Sequence, residues 1–262
     1  MTSSVDLAIV GAGPCGLAAA IAARKAGLSA VVFDRGCLVS GIVGYPTYMT
    51  FFSTAERLSI GGVPFSVASD KPTRRDALAY YRTVTRHFEL DVRQYEPVED
   101  VVRLDGAGGR PEGRGAIERT REAGGAPPSG KLQRNAGESA TESSPAGARR
   151  RPARFVVHSR TRDGVLHETL AHAVVIATGY FGHPNRLGVP GEELPHVTHL
   201  FKEGHEAFEQ PVVVVGGGNS AVDAALDLYR AGARVTLVHF GPTLDRNIKP
   251  WVLPDITNRI AE

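Results

Sequence analysis

One feature constrains this chain more than any other: a glycine-spaced turn that occurs twice. An apolar, β-prone run over residues 5–10 leads directly into Gly11-Ala12-Gly13-Pro14-Cys15-Gly16. An Ala-rich stretch then runs to Ala26, Gly27 closes it, and a second apolar run over residues 30–33 ends in Asp34. Continuous apolar runs suit strands buried on both faces of a parallel sheet, and a glycine after a helical stretch suits its C-terminus. The segment therefore predicts a strand-helix-strand unit. The pattern returns at Pro211, with four valines, Gly216-Gly217-Gly218-Asn219-Ser220-Ala221, an amphipathic stretch to Tyr229, Gly232, and an apolar run over residues 235–238. The copies superpose without a gap, so that Gly11, Gly13, Gly16 and Gly27 fall on Gly216, Gly218, Ala221 and Gly232.

Such a turn has a definite chemistry. Its glycines let the backbone approach a pyrophosphate closely, while the free N–H groups and dipole of the helix start face the anion. In the first copy Gly11, Gly13, Pro14 and Gly16 form the turn. Asp34 follows about 20 residues on, where a carboxylate accepts hydrogen bonds from a ribose diol. That favours FAD or NAD over a 2′-phosphorylated nucleotide. In the second copy Gly216, Gly218, Asn219, Ser220 and Ala221 repeat the turn, but His239 falls on the Asp34 position, and Arg246 and Lys249 follow. Losing the carboxylate removes repulsion against a 2′-phosphate and tilts this copy towards NADPH, with His239 as a plain strand-end residue the alternative.

Between the copies, residues 98–104, 155–158 and 169–176 alternate or run apolar like strands, with Asp163-Gly164 at a hairpin turn. They predict a β-meander that returns to the first sheet. Residues 105–151, crowded with Gly, Ala, Pro, Ser, Arg and Glu, are expected to be a disordered insertion at a hairpin tip.

Bulk properties exclude several classes. The net charge of the 262 residues is +2, and residues 105–154 alone carry ten Lys/Arg against six Asp/Glu, so a basic nucleic-acid surface is not expected. No apolar run reaches the roughly 18 residues of a membrane helix, and the N-terminus has no cationic leader, so a cytoplasmic location is expected. Two cysteines, Cys15 and Cys37, form neither a disulfide framework nor a C-x-x-C pair. The histidines His196, His199 and His205 lack a recognised ligand spacing, and no metal site is expected. Neither glycine turn carries a Walker lysine or a nucleophile elbow.

Taken together, the motifs resemble the bacillithiol disulfide reductase family, flavoproteins similar to thioredoxin reductase but without its cysteine pair. The matching residues are 11–16 with Cys15 inside the turn, Tyr45-Pro46-Thr47, Thr50-Phe51-Phe52-Ser53, Leu58-Ser59-Ile60-Gly61 and Tyr80-Tyr81-Arg82. Further matches are residues 177–182, Phe201-Lys202-Glu203, residues 216–221 and Ile248-Lys249-Pro250-Trp251. The resemblance implies an α/β fold with two Rossmann-like dinucleotide-binding domains. One, for FAD, covers residues 1–194, and one, for NAD(P)H, covers residues 195–262 and is expected to be incomplete at Glu262. Pro46, Thr47, Thr178 and Gly179 would flank the flavin, the last two where Ala177-Thr178-Gly179 leaves the sheet and crosses to the second domain.

The same resemblance implies that NADPH reduces FAD, and that FAD in turn reduces the disulfide of a small thiol, with Cys15 as the redox thiol. A cysteine at a helix start has its thiolate stabilised by the dipole, although a bound pyrophosphate opposes this, and a small residue packed under the cofactor is the alternative. At Phe240 the chain departs from the family, which carries an Arg there. The implied partner is a small-molecule disulfide, with no nucleic acid and no membrane; a homo-oligomer stays open for the full-length form. Rival readings are a flavin monooxygenase, a ferredoxin-NADP reductase and a non-catalytic nucleotide-binding fragment. Residues 194–201 lack the glycine of the monooxygenase linker signature.

Overall fold

The computed structural model describes residues 3–104 and 152–261, so the insertion expected over 105–151 lies outside the described residues. The first unit opens with strand β1 (Ser3–Val10), helix α1 (Pro14–Lys25) and strand β2 (Ala30–Asp34). Short helices α2 (Ser40–Val43) and α3 (Ala55–Leu58) and the longer α4 (Arg74–His87) follow, then β3 (Val92–Gln94), β4 (Val98–Arg103), β5 (Phe155–Arg160) and β6 (Leu166–Ile176). The six strands form one mixed sheet in the order β3-β2-β1-β6-β5-β4. β1 runs parallel to β2 and β6, while β5 is antiparallel to both β6 and β4. The meander thus returns to the first sheet as its pattern predicts. Asp163-Gly164 makes the turn, where Gly164 takes φ +84° and the Thr161 N–H donates to the Val165 carbonyl at 2.8 Å.

Alternation along the parallel strands places their apolar residues on both faces. Ile9 and Val32 pack with Ala20 of α1 on one face, whereas Ala8, Val31 and Phe33 pack with Val157 and Ala171 on the other. Leu17 and Ile21, also on α1, pack with Ala77, Tyr81 and Val84 of α4, so α1 lies between the sheet and α4. Each such buried Val, Leu, Ile or Phe side chain contributes about 1.5–3 kcal/mol. Helix α4 begins at a reciprocal capping box, in which the Thr73 hydroxyl accepts from the Asp76 N–H and the Asp76 carboxylate accepts from the Thr73 N–H.

The second unit repeats the first at its start. Strand β7 (Pro211–Val215), helix α5 (Asn219–Arg230) and strand β8 (Arg234–Val238) form a parallel two-stranded sheet with its helix, and α6 (Leu253–Ala261) follows. Val222, Ala225 and Leu226 of α5 pack with Ile248 and Ile256 against Val214, Val235 and Leu237. The other sheet face, with Val213, Val215 and Val238, is exposed among the described residues, in contrast to β1 and β2. No helix among the described residues is long and apolar enough to cross a membrane.

Candidate functional site

The first glycine turn is shaped by contacts that admit no side chain at two of its glycines. A Cβ on Gly11, which takes φ +111°, would lie 2.2 Å from the Ala177 carbonyl oxygen, and one on Gly16 would lie 1.9 Å from the Gly11 carbonyl oxygen. Gly13 faces open space and caps α1 in an extended conformation, with Pro14 opening the helix and no acidic residue in its first turn. The result is an uncrowded helix N-terminus facing outward, as a pyrophosphate requires. Asp34 lies buried under this turn: Oδ2 accepts from the Ala12 N–H at 2.8 Å, while Oδ1 accepts from the Gly36 N–H at 2.8 Å and the Ser40 hydroxyl at 3.1 Å. The strand-end carboxylate therefore also holds the shape of the turn, a role the spacing alone did not disclose.

The expected crossing comes to the same place. The Ala177 N–H donates to the Val10 carbonyl at 2.7 Å, so the chain leaves β6 in contact with Gly11, and Thr178 and Gly179 follow exposed, the latter at φ +81°. Cys15 is exposed in the first turn of α1 and is not in a disulfide. Close by, burial, then the neighbouring Tyr80, Cys15 and Tyr45, push the Tyr81 phenol up to about 12, so that it remains a neutral hydroxyl, donating to the Leu58 carbonyl at 3.2 Å. Tyr45 packs edge-on against Phe51 and Phe181. Pro46 and Thr47 lie in the adjoining segment, where the Thr47 N–H donates to the Lys202 carbonyl at 3.0 Å and ties it to the second unit.

The second turn repeats the backbone hydrogen bonds of the first, at its first glycine and at the start of its helix. Gly216 takes φ +136° and donates its N–H to the Val238 carbonyl at 2.8 Å, just as Gly11 donates to the Phe33 carbonyl at 2.7 Å. Gly218 caps α5 in an extended conformation, again with no acidic residue in the first turn, which includes Ser220 and Ala221. Asn219 fastens the following loop: its amide nitrogen donates to the Asn247 carbonyl and its amide oxygen accepts from the Lys249 N–H, both at 2.9 Å. The Lys249 ammonium is paired with Asp223 at 2.6 Å on the flank of α5, whereas Arg246 is exposed. His239 occupies the strand end as its register predicts, with its ring packed beneath Gly217. The turn is nevertheless not free of acid, since Asp245 approaches it from the loop after β8, a residue that no spacing rule singles out. Of His196, His199 and His205, His199 pairs with Glu192 at 3.0 Å.

Two turns of this build on parallel strands define a two-dinucleotide-binding α/β fold. A family model described as pyridine nucleotide-disulphide oxidoreductase matches residues 8–108 and 150–262, and the chain belongs to that family. More particularly, it is 38% identical over 94% of its length to bacilliredoxin reductase Bdr of Bacillus subtilis (strain 168), of which it covers 60%. It superposes on the bacillithiol disulfide reductase Bdr (YpdA) from Bacillus cereus with a TM-score of 0.79 at 39% identity, covering 99% of this chain and 65% of that one. The corresponding enzyme from Staphylococcus aureus gives a TM-score of 0.76 at 36% identity, covering 99% and 64%. The resemblance read from the motifs thus extends over nearly the whole chain, while the chain spans less than two thirds of these relatives.

Proposed function

We propose that this chain carries the nucleotide-binding part of a cytoplasmic flavoprotein reductase that passes electrons from NADPH through FAD to the disulfide of a low-molecular-weight thiol of the bacillithiol kind. Residues 1–194 would hold FAD and residues 195–262 the nicotinamide nucleotide. Gly11, Gly13, Pro14 and Gly16 would receive the FAD pyrophosphate, Asp34 its ribose, and Pro46, Thr47, Thr178 and Gly179 the flavin. Gly216, Gly218, Asn219, Ser220 and Ala221 would receive the second pyrophosphate, with His239, Arg246 and Lys249 nearest the adenosine end. The glycine cradles support this fit, since Gly11 and Gly16 exclude any Cβ while Gly13 opens outward.

The observation that carries the substrate reading is the exposed Cys15 thiol at the start of α1, next to that cradle. Its sulfur would attack one sulfur of the substrate, breaking the S–S bond, forming a mixed disulfide with Cys15 and releasing one thiolate. FAD, when bound, supplies the two electrons, taken from NADPH, that reduce this mixed disulfide and release the second thiol. A Cys15→Ala variant of the full-length protein should bind FAD and accept hydride from NADPH but lose turnover of bacillithiol disulfide. Turnover at the wild-type rate would show that Cys15 only packs beside the cofactor.

A further inference from the structure

The register that superposes the two glycine turns also pairs the residues that follow their second strands. Asp34 falls on His239, and so Arg35 falls on Phe240. In both copies this position carries a flat group that points away from the fold. Arg35 is exposed, with Nη2 3.1 Å from where a Cβ on Gly182 would stand. Phe240 is 98% exposed, the most open of the large apolar side chains among the described residues. Its ring neighbour is His239, 4.5 Å away between centroids and tilted by 53°, and the His239 ring is itself packed beneath Gly217 of the turn. An apolar ring left in water at a strand end forfeits its hydrophobic stabilisation, so the fold alone gives no reason for it.

The position of Phe240 decides what the ring can meet. In a strand-turn-helix unit of this kind the pyrophosphate sits at the helix start and the adenosine ribose at the end of the second strand. The base on that ribose therefore comes to lie beside the next residue. Nucleic bases stack on aromatic rings and on guanidinium planes alike, which are the two groups found here in the two copies. We infer that Phe240 is the platform on which the adenine of the nicotinamide nucleotide stacks. The inference rests on the nucleotide reading of the second turn and deepens it. A stacked ring reads the base and not the 2′-phosphate, so Phe240 supports NADPH and NADH equally and leaves the choice between them to the charged groups of the following loop, where Arg246 is exposed.

Calorimetric titration of the full chain with NADP⁺ and NAD⁺, beside Phe240→Ala, Phe240→Leu and Phe240→Trp, tests the assignment. Phe240→Ala should raise Kd for both nucleotides by about tenfold, with their ratio unchanged, and the Tm should hold because so exposed a ring supports nothing beneath it. Phe240→Trp should bind both nucleotides at least as tightly as the wild type, whereas Phe240→Leu, apolar but without a π face, should fall with Phe240→Ala. If nucleotide binds and Phe240→Ala leaves its Kd unchanged, or Leu serves as well as Phe, the base does not stack on this ring, and the nucleotide reading of the turn survives. If the wild-type chain binds neither nucleotide, the turn is not a nucleotide site and both conclusions fail.

Discussion

Trp251 stacks on Phe52, with ring centroids 5.1 Å apart and planes 27° from parallel, and the Lys71 ammonium lies 4.5 Å from the Trp251 ring centroid. The contact joins the first unit to the second. Phe52 and Lys71 belong to segments held together by the Thr50–Thr73 bridge ahead of α4, and Trp251 follows the loop that Asn219 fastens to α5. Stacked pairs contribute about 0.5–1.5 kcal/mol beyond burial, and an exposed cation over a ring about 0.5–1 kcal/mol.

Trp251 is the only tryptophan, so its emission reports this contact directly. Phe52→Ala should shift the emission to the red and lower the unfolding midpoint, and Lys71→Met should give a smaller effect in the same sense. Unaltered emission in Phe52→Ala would mean that the rings do not meet in solution.

The duplicated turn was legible in sequence because its geometry rests on glycine itself: Gly11 and Gly216 need positive φ, and Gly16 needs the absence of a Cβ. Periodicity sufficed for the strands beside it. Helix α4 was not identified as an element, although Thr73 and Asp76 form a capping signature that marks its start. Three-residue β3 is too short for any alternation to show. Asp245 was illegible for a deeper reason, since its approach depends on the path of an irregular loop and on no spacing to the glycines.

The glycines of the first turn should separate by mutation. Gly13→Ala has open space for its methyl group and should fold with a nearly unchanged Tm while holding FAD less tightly, because the new Cβ would stand in the approach proposed for the pyrophosphate. Gly16→Ala drives a methyl group into the Gly11 carbonyl and should destabilise the protein by about 1–3 kcal/mol or more. Denaturant unfolding and FAD titration of both variants measure the two effects. Equal stability losses would contradict the difference in space.

Asp34 holds the first turn, and this task can be told apart from the ribose contact proposed for it. Its carboxylate accepts from the Ala12 N–H, the Gly36 N–H and the Ser40 hydroxyl. Asp34→Ala should therefore cost about 1–3 kcal/mol even without nucleotide, the penalty for buried donors left unpaired. Ser40→Ala removes one of these donors and leaves the carboxylate in place, so it should cost less and leave FAD retention largely unchanged. An Asp34→Ala protein that loses FAD but keeps the wild-type unfolding free energy would assign the residue to the ribose alone.

Glu192 clasps the segment that follows the crossing. Its carboxylate bonds to His199 at 3.0 Å and accepts the backbone N–H groups of Leu187 and Gly188 at 2.9 and 2.7 Å. The His199 bond first, then the two backbone bonds, bring its pKa down to about 2 from an ordinary 4.5. A depressed carboxylate pKa stabilises the folded form above the unfolded value, and the contribution is lost as pH falls through the folded one. The clasp should therefore be complete above about pH 4.5 and released on the way down to about pH 2. Amide chemical shifts of Leu187 and Gly188 should follow one titration with a midpoint near 2, and in Glu192→Gln that titration should disappear, with faster hydrogen exchange at both amides. A midpoint near 4.5 in the wild-type protein would show that the carboxylate is free and the loop unclasped in solution.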